Sequence, residues 1–157
     1  MRDQVILQLR WADLDAYGHV NNAVMLRLLE EARIRWMWKP AGGTASRDSQ
    51  IFDASPTSDT IMVIAHQEIE YRAVLPYLDE GININVWIGA IGGSSLDLYY
   101  EIYGAAGAEA ETLYVRASST VVVMDAAAQK PRRLSTDERA AMQPYLGEPL
   151  QLGRKRG

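Results

Sequence analysis

The stretch WADLDAYGHVNN, Trp11 to Asn22, sets two aspartates, a glycine, one of the chain's two histidines and a pair of asparagines before a strongly apolar pattern. Asp, Asn and Gly favour turns and helix caps, because their short polar side chains bond nearby backbone and glycine takes left-handed conformations. Read alone, the segment is a strand-to-helix connection. The residues after it change period. Met25, Leu28, Leu29, Ala32 and Trp36 recur at i, i+3, i+4, i+7 and i+11, one stripe of an α-helix over Asn22 to about Met37. Val24, Leu26 and Ile34 widen that stripe, so the helix is expected to be buried on several sides, with Arg27, Glu31 and Arg35 spaced as an ion-pair ladder on one flank.

Upstream, Gln4 to Arg10 alternates apolar and polar residues, the signature of a half-buried strand. Downstream, Lys39-Pro40 stops the helix, and Ala41 to Asp59 reads as a long irregular segment that caps something or moves. Four strand-like runs follow: Ile61 to Ala73, Ile82 to Ile91, Ser94 to Gly104 and Thr112 to Asp125. In the first, Ile61, Val63, Ala65, Ile69 and Tyr71 are expected on one face, and His66, Glu68, Glu70 and Arg72 on the other. The short glycine-containing links Asp79 to Gly81, Gly92-Gly93 and Gly104 to Gly107 suggest antiparallel neighbours. Ser135-Thr136-Asp137-Glu138 is a capping box opening a short helix to about Met142.

The 157 residues fit one domain, taken as 1–146 with a tail at 147–157, of α+β class. An apolar share of 48% with 23% charged residues suits a soluble globular protein, and no apolar run is long enough to span a membrane. A formal charge of −4 argues against nucleic acid as a partner; the dense basic runs, Lys130 to Arg133 and Arg154 to Arg156, are short. Without cysteine there is no disulfide, thiolate nucleophile or thiolate-bound metal, and the two histidines lack metal-ligand spacing. With no signal-peptide pattern, the expected location is cytoplasmic.

The order of elements and the segment RWADLDAYGHVNNAVMLRLLEEAR resemble the hot-dog-fold acyl-CoA thioesterases, in particular the 4-hydroxybenzoyl-CoA thioesterase-like branch. HQEIEYRAVL, GSSLDLYYEI and the closing VVVMD and KPRRL segments belong to the same resemblance, which covers nearly the whole chain. It implies a curved antiparallel five-stranded sheet wrapped around one long central helix, and a homodimer or homotetramer whose sites draw on two chains. It implies thioester hydrolysis on an acyl-CoA substrate, with coenzyme A as part of the substrate and no separate cofactor. The position of the catalytic carboxylate, as nucleophile or general base, falls on Asp15.

That chemistry needs donors for the oxyanion, which unpaired amides at the helix N-terminus can supply. Gly18 allows a tight turn, and His19 or Asn21 can polarise the carbonyl or place a water. Tyr17, Gly18, Val20 and Asn22 are expected beside the substrate, Asn22 also being read as the helix N-cap. Asp13 reads as a turn cap, and His19 equally as a satisfied turn residue. Lys130, Arg132 and Arg133 are candidates for the coenzyme A phosphates, and Ser94 and Ser95 for pantetheine. Some relatives carry basic residues where this chain has Gly92-Gly93-Ser94-Ser95. The rival reading is a non-catalytic acyl-CoA or ligand-binding protein.

Overall fold

The computed structural model describes residues 1–53 and 55–153. Five long strands form one antiparallel sheet: β1 (Asp3–Leu7), β4 (Thr60–Tyr71), β5 (Ile82–Ile91), β6 (Ser95–Gly104) and β7 (Val115–Asp125), in the order β1-β5-β6-β7-β4. A two-residue strand, β8 (Lys130–Pro131), extends the ladder beside β7, and β2 (Trp38–Lys39) pairs in parallel with β3 (Phe52–Asp53). The curled antiparallel sheet is the layout expected. One link departs from expectation. Asp79 to Gly81 does not join neighbours: β4 pairs with β7, while β5 pairs with β1 and β6, so the connection spans the sheet. Gly81 has φ +81°, and a Cβ there would collide with the Leu7 carbonyl of β1, so the glycine serves a close crossing.

Helix α1 (Asn22–Met37) buries Met25, Leu28, Leu29, Ala32 and Trp36, the predicted stripe, together with Arg33 and Met37. They meet Ile84, Val86, Leu98, Tyr100, Val121 and other apolar side chains of the sheet in one core. Burying each large apolar side chain stabilises the fold by roughly 1.5–3 kcal/mol. On the flank, Arg35 bonds Glu31 at 2.6 Å, whereas Arg27 closes no pair with Glu31 among the described residues. The long segment after the helix caps it. Ser49, fully buried, donates to the Trp36 carbonyl at 2.7 Å, and the Gln50 amide donates to that of Arg35 at 2.9 Å. These bonds satisfy carbonyls that a helix end otherwise leaves open.

The face assignment along β4 holds only in its second half. A bulge between Ile64 and His66 shifts the register, so Ile61 and Val63 share the outer face with His66, Glu68 and Glu70, while Met62, Ile64, Gln67, Ile69 and Tyr71 point inward. The expected capping box is present: Glu138 N–H donates to Ser135 Oγ and Ser135 N–H to Glu138 Oε2, opening α2 (Thr136–Met142). The segment expected to begin the tail is tied to the sheet, with Gly147 N–H on the Ile88 carbonyl and the Trp87 indole on that of Glu148. Arg154 to Arg156 lie outside the described residues.

Candidate active site

The opening stretch folds as a turn locked at both ends. Gly18 N–H bonds the Asp15 carbonyl at 3.1 Å, and Asp15 N–H bonds that of His19 at 2.8 Å, closing a tight loop around Ala16 and Tyr17. Gly18 takes φ +77°, which side chains of L-residues rarely accept. Val20 N–H reaches the Leu75 carbonyl, so the turn also docks on the segment following β4.

Asp13 and Asp15 part company here. Asp13 is 2% exposed and accepts from the Arg10 amide at 2.7 Å and the Arg10 guanidinium at 2.9 Å; it is the cap expected. Asp15 uses one oxygen only. Its Oδ1 accepts from the amides of Tyr17 at 2.8 Å and His19 at 3.3 Å, and Oδ2 has no hydrogen-bond partner among the described residues. Asp15 lines a cleft of about 370 Å³ together with His19, Val20, Asn22, Met25 and Tyr71–Leu75.

The helix cap is Asn21, one residue earlier than expected for Asn22. Asn21 is extended (φ −60°, ψ 138°) and its Oδ1 accepts from the amides of Ala23 at 2.8 Å and Val24 at 3.4 Å. The first helical bond, Met25 N–H to the Asn21 carbonyl, spends another amide. In the first turn the Asn22 N–H therefore stays unpaired among the described residues, and Asn22 lines the cleft. Of the helix amides expected as oxyanion donors, one is free.

Two cleft residues, Tyr71 and Arg72, fall within the HQEIEYRAVL segment of the resemblance, which assigns them no role. Tyr71 donates its hydroxyl to the Asn22 carbonyl at 2.8 Å, and burial pushes its phenol up from the ordinary range. Arg72 pairs loosely with Glu70 at 3.8 Å. A tyrosine ending an alternating strand is indistinguishable in sequence from one that merely faces a core. Tyr17 is 85% exposed outside the cleft lining.

The remaining candidates lie elsewhere on the chain. Tyr71 pairs with Val115 at the start of β7, Ser95 with Val122 and Lys130 with Asp125 near its end. Seven residues of strand separate Val115 from Val122, about 23 Å. Ser94, Ser95, Lys130, Arg132 and Arg133 thus sit at the far end of the sheet from Asp15. Arg132 is also occupied: it grips Glu138 through two bonds of 2.7 and 2.9 Å, Thr60 Oγ1 through two more, and the Arg133 carbonyl. The grip raises the Arg132 pKa and lowers that of Glu138. Lys130 and Arg133 are exposed. Among the described residues, no three His, Cys, Asp or Glu side chains gather closely enough to hold a metal, and no helix is long and apolar enough to cross a membrane.

Residues 9–148 match the model of the thioesterase-like superfamily, to which this chain belongs, and the curled antiparallel sheet is of that fold. In structure it is similar to a predicted thioesterase from Bacillus stearothermophilus, with a TM-score of 0.73 at 20% identity over 95% of this chain and 99% of that one. A thioesterase from Thermus thermophilus, complexed with coenzyme A and Zn, matches at 25% identity and TM-score 0.67 over 94% of this chain and 96% of its own. The uncharacterized protein YsmA of Bacillus subtilis is 33% identical over 95 residues, 60% of this chain and 56% of YsmA. That match spans little more than half the length of the curated relative.

Proposed function

We propose that this protein hydrolyses acyl-CoA thioesters in the manner of the 4-hydroxybenzoyl-CoA thioesterase-like branch, with Asp15 as the catalytic carboxylate. The observation that carries this reading is that Asp15, whose Oδ2 is unbonded, and Asn22, whose N–H is unpaired among the described residues, line one cleft. A thioester placed between them would offer its carbonyl oxygen to Asn22 and its carbon to Asp15. Oδ2 either attacks that carbon or takes a proton from a water that does. The charge that develops on the carbonyl oxygen is held by the Asn22 amide and the positive end of α1, and such a donor is worth roughly 3 kcal/mol of barrier. Collapse expels the coenzyme A thiolate: on the water path it takes up the proton held by Asp15, and on the direct path a water then hydrolyses the aspartyl anhydride, releasing the acid, regenerating Asp15 and supplying the thiolate's proton. His19, half-buried in the same cleft, supplies a second donor or orients the water, while Asn21 holds the helix N-terminus from outside the cleft lining. Coenzyme A release, followed with a thiol reagent over a panel of acyl-CoA esters of different length and aromaticity, tests this. Activity on none of them would remove the reading.

We propose further that residues 1–146 act as one domain and that two copies pair along β4. This twelve-residue strand is a sheet edge, and its outward Ile61 and Val63 are 38% and 39% exposed. Long edges with apolar side chains are covered in stable proteins. Two-fold antiparallel pairing would set the Tyr71 end of one β4 beside the partner's Thr60. Arg132 holds Thr60, so the partner's Lys130 and Arg133 would arrive near the Asp15 cleft, where coenzyme A phosphates could meet them. Ser94 and Ser95 would then flank the pantetheine arm from the same side. A stable monomer by light scattering would oppose this arrangement.

A further inference from the structure

Helix α1 and strand β4 leave the Asp15 cleft side by side. At the cleft, Tyr71 bonds the Asn22 carbonyl; at the far end, the Trp38 indole meets Met62 Sδ at 3.4 Å. The helix therefore runs antiparallel to the inner face of β4. That inner face is not filled, because Ile64 and Gln67 point toward the core side yet remain exposed.

Toward the C-terminal half of the same helix, Arg33 is only 8% exposed. A guanidinium carries five N–H donors in a fixed fork. Here its polar partners among the described residues are two and distant: Tyr100 Oη at 3.5 Å and the Glu30 carboxylate at 4.0 Å. Glu30 is itself 61% exposed on its side chain, so it is held loosely. A nearly buried guanidinium gains from a close anionic partner, and neither contact is short enough to be one. The facing sheet is polar at the same level. Tyr100 on β6 and Ser119 on β7 are buried, and Gln67 on β4 donates to Ser119 Oγ at 3.3 Å. A polar stripe thus crosses three adjacent strands opposite a buried cation.

Both sides reach this level together. From Met25, which lines the cleft, Arg33 lies eight residues down the helix, about 12 Å. From Tyr71, Gln67 lies four residues down β4, about 13 Å. Given the acyl-CoA reading above, on which this step rests, we propose that Arg33 recognises a terminal carboxylate on a medium-length acyl chain lying between α1 and β4. The preferred substrates are then mono-thioesters of α,ω-dicarboxylic acids. The guanidinium fork matches a carboxylate in two parallel bonds, and Tyr100 supplies a further donor.

The test compares coenzyme A thioesters of dicarboxylic acids with methyl-ended thioesters of equal length, on the parent, Arg33→Met and Arg33→Lys, each checked for a cooperative melt. The parent should favour the carboxyl-ended series at medium length, and Arg33→Met should reduce that kcat/KM ratio roughly 10- to 100-fold, with Arg33→Lys between them. A parent preference for methyl ends at every length, or an unchanged ratio in Arg33→Met, would overturn the proposal. Calorimetry with free α,ω-dicarboxylates and monocarboxylates separates this from the hydrolysis reading. Arg33-dependent binding of the dicarboxylate without turnover of any thioester would keep the tail site and discard the esterase. Equal binding of both acids by the parent would discard the tail site whatever the enzyme hydrolyses.

Discussion

The Tyr71 hydroxyl donates to the Asn22 carbonyl at 2.8 Å, so the last residue of β4 and the first of α1 are joined across the cleft that holds Asp15. Because the Asn22 carbonyl and N–H lie in adjoining peptide units at the start of α1, the bond anchors the turn that carries the Asn22 N–H.

Tyr71→Phe keeps the ring and removes the bond. The fold should lose about 1 kcal/mol, while kcat should fall about tenfold with a smaller change in KM, because the oxyanion donor loses its support. A thermal melt and steady-state kinetics check both. A change confined to melting temperature would make Tyr71 merely structural.

Gly18→Ala separates backbone strain from packing. A Cβ at Gly18 would meet no atom within 4 Å, but φ +77° is unfavourable for alanine by about 1–2 kcal/mol. The loss should appear as a lower urea midpoint with an unchanged slope. If the turn relaxes instead, Asp15 moves with it, and activity falls further than stability.

The Arg132–Glu138 grip gives a pH signature. Bonding to Arg132 is the chief cause holding the Glu138 carboxyl below its ordinary value. Its contribution is therefore complete above the unfolded glutamate pKa of about 4.3 and is lost as pH falls through the lower folded value. Glu138→Gln should cost about 1–2 kcal/mol at pH 7, and the gap between parent and variant should narrow toward pH 3. Urea midpoints at the two pH values measure it; a constant gap would contradict the assignment.

The strands, the buried helix stripe and the capping box at Ser135 were legible because each repeats a local period or a short-range bond. The register of β4 was not, since the bulge at Ala65 swaps faces without any glycine or proline to mark it. Nor was the pairing partner of β5: a glycine turn looks the same whether the chain doubles back or crosses the sheet. Within the site, Asp15, His19 and Asn22 do share one cleft. The choice between Asn21 and Asn22 as cap depended on one residue of register. Tyr71, Arg72 and the stretch to Leu75 join the cleft only through tertiary folding. Arg33 shows the same limit, because a helical arginine beside two glutamates reads as a solvated charge until its burial is seen.

The most direct measurement is coenzyme A release by Asp15→Asn against the parent, with acyl-CoA binding measured on the same variant. Asparagine keeps the size of the side chain and an oxygen for the Tyr17 amide bond, but offers neither a nucleophile nor a base. The account predicts that kcat falls by about a thousandfold or more while melting temperature and substrate affinity stay close to those of the parent. Near-parental thiol release by a folded Asp15→Asn would contradict it.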